Sequence, residues 1–220
     1  MKELNQYIDH TFLNPLAKPE DIVRLCDEAK KYNFYAVCVN SSYVYLAAKE
    51  LKDSPVKVAA TVGFPLGASS TQAKVTEAKR AVKDGADEID MVINLGWLRS
   101  ELTKSVREEI TAVKKAIGRR VLKVIIETCY LSNHEKKLAC EIVKKAGADF
   151  IKTSTGFGDD GAEINDVLLI KACAGDTTQV KASGGIKTEE QACAFIRAGA
   201  DRLGTSSGVQ IVLSSKEKAL

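Results

Sequence analysis

Gly147-Ala148-Asp149-Phe150-Ile151-Lys152-Thr153-Ser154 lies where an amphipathic stretch ends and a short apolar run begins. A glycine can take the left-handed conformation that closes a helix, an alanine packs tightly behind it, and an aspartate opens the turn into a strand. The same junction recurs at Gly85-Ala86-Asp87 and Gly199-Ala200-Asp201, each time after a helix pattern and before a strand pattern. Three copies of one helix-to-strand junction argue for one repeating architecture.

Working outward, apolar and β-branched runs alternate with amphipathic stretches along the whole chain. Strands are expected at Tyr7–His10, Ala36–Val39, Val56–Val62, Glu88–Asn94, Leu122–Glu127, Phe150–Ser154, Gln179–Ser183 and Arg202–Thr205. Helices are expected between them, among others at Pro19–Lys31, Thr71–Lys83, Thr103–Ile117, Ser132–Lys145 and Thr188–Arg197. Ser132 and Thr188 each precede a Glu or Gln by three residues, the spacing of a capping box, and Pro19 suits a first helical turn. Eight strand runs in 220 residues give about 28 residues per unit, close to the ~30 of a (β/α)8 barrel. No Gly/Ser- or Pro-rich linker interrupts the chain. The predicted fold is therefore α/β: a single (β/α)8 TIM barrel of parallel strands, one domain over residues 1–220.

Composition narrows the function. Lys and Arg total 32 and Asp and Glu 29, a net charge of +3, spread rather than gathered into a stripe. That argues against nucleic acid and suits a small anionic substrate. Cys26, Cys38, Cys129, Cys140, Cys173 and Cys193 form no C-x-x-C pair and have no zinc-like spacing to His10 or His134. They read as scattered thiols in a reducing compartment, with no metal and no cofactor expected. The N-terminus lacks an apolar signal core, and no run reaches the ~18 apolar residues of a membrane span. The expected location is the cytoplasm, away from membranes.

Side chains alternate along a strand, so parity shows which residues share a face. Ile89, Met91 and Ile93 fall on one face, expected to meet the helices. Asp90 and Asn94 share the other and are expected inside the barrel. By the same reading Lys123, Lys152 and Lys181 point inward. Barrel interiors are normally filled with branched apolar groups, and a buried ammonium costs several kcal/mol unless paired. Cys38, at the end of its strand, is expected to face the same pocket and to react with unsaturated aldehydes; His10 and His134 read as structural or exposed.

Lys152 and Lys181 occupy equivalent places in consecutive units, so they should lie on neighbouring strands ~4.8 Å apart. Burial and a like charge both lower a lysine pKa, and a neutral amine is the form that attacks a carbonyl. Asp90, two strands from Lys152, can hold a second lysine protonated and relay protons through water. The chemistry that needs this set is imine formation. A protonated imine is an electron sink, which allows aldol or retro-aldol chemistry without a metal. Ser183-Gly184-Gly185-Ile186 follows the seventh strand and Gly204-Thr205-Ser206-Ser207-Gly208 the eighth. Those loops commonly hold phosphate in barrels, with a short helix, expected at Ser206–Leu213, behind them.

Val62-Gly63-Phe64-Pro65-Leu66-Gly67, Glu88–Asn94, Lys123-Val124-Ile125-Ile126-Glu127-Thr128, Phe150–Phe157 and Val180–Ile186 together resemble the deoxyribose-phosphate aldolase family, the class I Schiff-base aldolases. The resemblance runs from Ile8-Asp9-His10-Thr11 to Gly204-Thr205-Ser206-Ser207. It implies that Lys152 forms the Schiff base, with Asp90 and Lys181 as proton donor and acceptor. Lys123 would support Asp90 from behind, and Asp9 and Thr155 would belong to the substrate pocket. Phosphate would sit at Gly184, Gly185, Gly204, Ser206 and Ser207. The implied partners are a small phosphorylated sugar and acetaldehyde, the implied assembly a homodimer.

Two departures stand out. Some members end in a mobile tail with a tyrosine that helps proton transfer, whereas this chain ends Lys216-Glu217-Lys218-Ala219-Leu220. Some carry a lysine after the Thr155-Gly156 pair, where this chain has Phe157, so phosphate binding would rest more on backbone amides. Two other readings stay open on sequence grounds: a different phosphate-binding Schiff-base aldolase, and a barrel that senses sugar phosphates without turning them over.

Overall fold

At the three Gly-Ala-Asp junctions the glycine φ is positive, +112° at Gly85, +76° at Gly147 and +105° at Gly199, and the aspartate then does more than open a turn. Asp87 Oδ2 accepts from the Val58 N–H at 3.0 Å, Asp149 Oδ2 from Leu122 at 2.7 Å and Asp201 Oδ2 from Val180 at 2.9 Å. The aspartate N–H in turn donates to the carbonyl of that same residue, at 2.8, 3.0 and 2.8 Å. Each junction is a reciprocal staple to the preceding strand.

In the computed structural model, which describes residues 3–217, the strands are β1 (Ile8–Phe12), β2 (Ala36–Val39), β3 (Lys57–Val62), β4 (Glu88–Val92), β5 (Val121–Ile125), β6 (Phe150–Lys152), β7 (Gln179–Ser183) and β8 (Arg202–Thr205). All pairs are parallel, each strand beside the next in chain order, and β1 also pairs with β8 to close the ring. The eight-stranded (β/α)8 barrel expected from the sequence is the observed fold. Around it run α1 (Pro19–Lys31), α2 (Val44–Glu50), α3 (Thr71–Lys83), α4 (Leu95–Arg99), α5 (Thr103–Ile117), α6 (Asn133–Lys145), α7 (Ile164–Ala174), α8 (Glu189–Arg197) and α9 (Gly208–Glu217). The expected capping boxes form at Ser132 with Glu135 and at Thr188 with Gln191.

The apolar core is an annulus between strands and helices. Ile89 and Met91, Leu122 and Val124, Val180 and Ala182 are all fully buried in it. Their alternate neighbours, including Asp90, Lys123 and Lys181, point into the barrel.

Several boundaries differ from the sequence expectation: β1 runs from Ile8 to Phe12 instead of Tyr7 to His10, and β3 starts at Lys57 instead of Val56. β4 stops at Val92 because Asn94 leaves the ladder: its Oδ1 accepts from the Trp97 N–H at 3.0 Å and caps α4. Asn94 is thus a half-buried cap beyond the strand, not an interior residue as parity predicted. β5 ends at Ile125, and Glu127 beyond it adopts a left-handed φ of +49°. β6 ends at Lys152, two residues early. The last helix starts at Gly208, since the Ser207 N–H turns back to Thr205 Oγ1 at 2.9 Å. Lys218, Ala219 and Leu220, on which the expectation about the tail falls, lie outside the described residues. Among the described residues no helix is long and apolar enough to cross a membrane.

Candidate active site

Neighbouring strands in register bring the inward charges together. Asp90 on β4 stands opposite Lys123 on β5, Lys152 on β6 opposite Lys181 on β7, and Lys181 opposite Arg202 on β8. Among the described residues the resulting cluster holds four cationic side chains and three carboxylates. Asp90 is its hub. Oδ1 accepts from Lys123 Nζ at 2.7 Å, and Oδ2 accepts from both Lys152 Nζ and Lys181 Nζ at 2.8 Å. Deeper in, Asp9 bonds Lys181 and the Arg202 guanidinium. Glu88 takes Lys123 at 2.5 Å and Arg202 Nη2 at 3.1 Å. Arg202 stacks on the Tyr35 ring at 3.6 Å.

The electrostatics follow from those contacts. Burial alone would push the Asp90 carboxyl up, but Lys123, Lys152 and Lys181 outweigh it and hold it well below the usual range. Asp9 is likewise lowered, Arg202 and Lys181 overcoming burial. For Lys181, burial lowers and the carboxylates of Asp9 and Asp90 raise; the raising side wins. Lys123 behaves the same way. The simple picture of two lysines repelling each other across adjacent strands therefore needs correction. Lys181 is held protonated by two carboxylates, and Asp90 lies between the two lysine nitrogens.

What separates the lysines is counter-ions and access. Lys181 touches Asp9 and Asp90, and Lys123 touches Asp9, Glu88 and Asp90. Lys152 touches Asp90 alone among the cluster's carboxylates. Lys152 also lines a cavity of about 310 Å³ at the C-terminal mouth of the barrel, whereas Lys123 and Lys181 lie beneath it. The wall comprises Thr155, Gly156, Phe157, Ser183 to Lys187, Gly204, Thr205 and Ser206, with Thr11 to Asn14 opposite. A roomier groove of about 530 Å³ between α1 and α9 contains none of the clustered charges.

The other expected site residues divide. Gly184, Gly185, Gly204, Ser206 and Thr155 line the cavity. Gly185 has open space where a Cβ would stand. Gly204 has a second reason to be glycine: a Cβ there would lie 3.1 Å from Lys181 Cε and 2.9 Å from Ser183 Cβ. Ser207 faces a neighbouring groove beside His10 and Glu28, its N–H taken by Thr205. Asp9 is fully buried below the cavity, bonded to Lys181 and Arg202, and does not line the wall. Cys38 is inside the barrel, but as a buried thiol 3.9 Å from Asp90 Oδ2, outside the cavity wall. Burial, then the Asp90 charge, pushes that thiol up, which opposes the reactivity expected of it. His10 is buried and bonded to Glu28 at 2.7 Å. Among the described residues no group of three His, Cys, Asp or Glu side chains is placed to hold a metal ion.

Sequence reading missed Glu88, Arg202 and Glu127. Glu88 shares strand parity with Asp90, and Arg202 with Gly204, so parity carried the signal; a charged residue opening a strand reads more readily as solvent-facing. Glu127 shares the parity of Lys123 in the expected strand, but the strand ends at Ile125 and a left-handed backbone, not the pleat, sets where its carboxylate goes.

A closed parallel barrel with one lysine of a buried charge cluster exposed to a glycine-walled cavity has the layout of a barrel enzyme acting on a small anionic substrate. The model of the DeoC/LacD family aldolases matches residues 4–214, and the chain belongs to that family. It is 56% identical over 210 residues to the deoxyribose-phosphate aldolase of Finegoldia magna, covering 96% of this chain and 99% of that protein. Among solved structures it is similar to the aldolase QR15, with TM-score 0.95, 44% identity and coverage of 100% and 98% of the two chains. It is also similar to the deoxyribose phosphate aldolase of Aeropyrum pernix, whose tetrameric structure is described as unique, with TM-score 0.90, 33% identity and coverage of 98% and 92%.

Proposed function

We propose that this chain reversibly cleaves 2-deoxy-D-ribose 5-phosphate to D-glyceraldehyde 3-phosphate and acetaldehyde through a Schiff base on Lys152. The observation that carries the reading is the unequal treatment of the three lysines: Lys152 alone among them reaches the cavity, and it has the fewest carboxylate contacts. With every member ionised the cluster holds one cation in excess, so one amine can be neutral without leaving an anion unpaired.

The neutral amine attacks the substrate aldehyde and loses water to give a protonated imine. The C2–C3 electron pair then moves into the imine as the C3 hydroxyl gives up its proton, leaving an enamine and releasing glyceraldehyde 3-phosphate. Protonation at C2 and hydrolysis free acetaldehyde. Lys181 as ammonium and Asp90 as carboxylate are the donor and acceptor for these transfers, through water, and Lys123 holds Asp90 in place. The phosphate is received by the backbone amides and hydroxyls around Gly184, Gly185, Gly204 and Ser206, with Ser207 supporting the turn and Lys187 adding charge at the rim.

Borohydride reduction with acetaldehyde, followed by peptide mapping, tests the nucleophile, and a panel of sugar phosphates tests the substrate. A two-carbon adduct on the Lys152 peptide with turnover of deoxyribose 5-phosphate is expected; an unmodified Lys152 removes the mechanism. We further propose one catalytic domain, residues 1–220, working in the cytoplasm as a homodimer. Light scattering distinguishes that dimer from the tetramer described for the Aeropyrum relative.

A further inference from the structure

Glu127 is a buried carboxylate bonded to the cavity wall at Thr155 that the proposed reaction leaves unused. It follows β5, is almost fully buried, and has a φ of +49°, uncommon for a residue with a side chain. That backbone turn directs its carboxylate at the start of the loop after β6. Oε1 and Oε2 accept the Thr155 N–H at 3.1 and 3.3 Å, and Oε2 also bonds the Thr155 hydroxyl. The Thr155 Oγ1 then accepts the Phe157 N–H at 3.0 Å. A Cβ on Gly158 would come within 3.3 Å of the Glu127 carboxyl carbon, so the same group underlies the loop one step further on. Thr155, Gly156 and Phe157 are cavity wall, beside Lys152.

A hydroxyl has one proton and two lone pairs. At Thr155 the proton goes to Glu127 and one lone pair receives Phe157, which leaves a single acceptor site. We propose that Glu127 is a positioning residue that fixes the Thr155 hydroxyl as an acceptor toward the cavity, giving the site a preference for substrates whose hydroxyl group can donate over analogues that can only accept. Burial pushes the Glu127 carboxyl up, while the hydrogen bonds from Thr155 and the nearby Lys152 favour its ionised form. The inference rests on the aldolase reading above and adds to it the source of selectivity.

Glu127→Gln is nearly isosteric yet reverses the polarity. Its amide oxygen takes the Thr155 N–H and its NH2 donates to Oγ1, so the hydroxyl proton turns to the cavity. The test measures kcat/KM for acetaldehyde addition to glycolaldehyde and to methoxyacetaldehyde, whose ether oxygen accepts a hydrogen bond but cannot donate one. The glycolaldehyde-to-methoxyacetaldehyde ratio is expected to fall about tenfold in Glu127→Gln, the worth of one well-formed hydrogen bond to a fixed partner. It should fall in Thr155→Val as well, no further in the double variant, and stay high in Thr155→Ser. An unchanged ratio in Glu127→Gln, or a further fall in the double variant, overturns the assignment. Should Glu127→Gln fail to fold, the threonine variants decide, and a wild-type ratio in Thr155→Val overturns it. Borohydride labelling is run alongside. An unlabelled Lys152 in the unmodified chain sinks the aldolase reading, whereas full labelling with an unchanged ratio sinks only the role of Glu127.

Discussion

Lys152 and Lys181 donate to the same atom, Oδ2 of Asp90, each at 2.8 Å. One carboxylate oxygen thus joins the amine that reaches the cavity to an ammonium that does not. Any proton leaving Lys152 or its adduct has Asp90 as its nearest acceptor and Lys181 as the next group in line.

Replacing Lys152 should end the chemistry without ending the fold. Lys152→Arg keeps a cation near Asp90, but a guanidinium with pKa above ~12 is no nucleophile. Turnover is expected to fall by at least ~10³-fold, with no borohydride adduct. Circular dichroism should be unchanged. Substantial residual activity would mean that another group forms the imine.

Asp90→Asn should cost both activity and stability. Removing the charge shared by three buried amines leaves them under-compensated, and breaking a buried pair typically costs about 3–5 kcal/mol. The kcat is expected to drop at least ~10²-fold with KM altered far less, the range of a lost proton-transfer group. Parallel kinetics and thermal melts check the two halves separately.

Stability against pH has a definite shape. Asp9 and Asp90 have lowered folded pKa values, so their contribution is present above the unfolded value, ~3.9, and is lost as pH falls through the folded values. Lys123 and Lys181 have raised ones, so theirs is complete below ~10.4 and is lost as pH rises toward the folded values. For these four groups the melting temperature should be level between those limits and drop on both sides. A steep decline already near pH 8 would contradict the raised values for the two lysines.

Gly204→Ala should impair catalysis more than folding. The new methyl would lie 2.9 Å from Ser183 Cβ and 3.1 Å from Lys181 Cε, so both must give way, which disturbs the contact of Lys181 with Asp90. Overpacking of this kind costs about 1–3 kcal/mol. A tenfold or larger loss of kcat is expected alongside, since proton transfer depends on that 2.8 Å contact. Wild-type kcat in this variant would detach Lys181 from the reaction.

The barrel was legible because each unit carries local signals. Alternating apolar positions, the Gly-Ala-Asp junctions and the capping pairs at Ser132 and Thr188 depend only on near neighbours in the chain. Strand parity extended this to the interior placement of Asp90, Lys123, Lys152 and Lys181. It gave less help where the answer depended on distant partners. The protonated state of Lys181 follows from Asp9, 172 residues away in sequence. Parity failed at Asn94, and at Glu127 it gave the face shared with Lys123 but not the bonds to Thr155, since both lie past strand ends where the backbone leaves the alternating pattern.

The staples made by Asp87, Asp149 and Asp201 all lie at the rim opposite the cavity, and each ties an odd-numbered strand to its even-numbered successor. Anchorage and chemistry are thereby assigned to opposite ends of the same barrel. A laboratory wishing to change what the enzyme accepts can rewrite segments at the reactive end, such as Phe64 to Leu66 or Phe157 to Ala162, while the foundations of the strands beneath stay fastened.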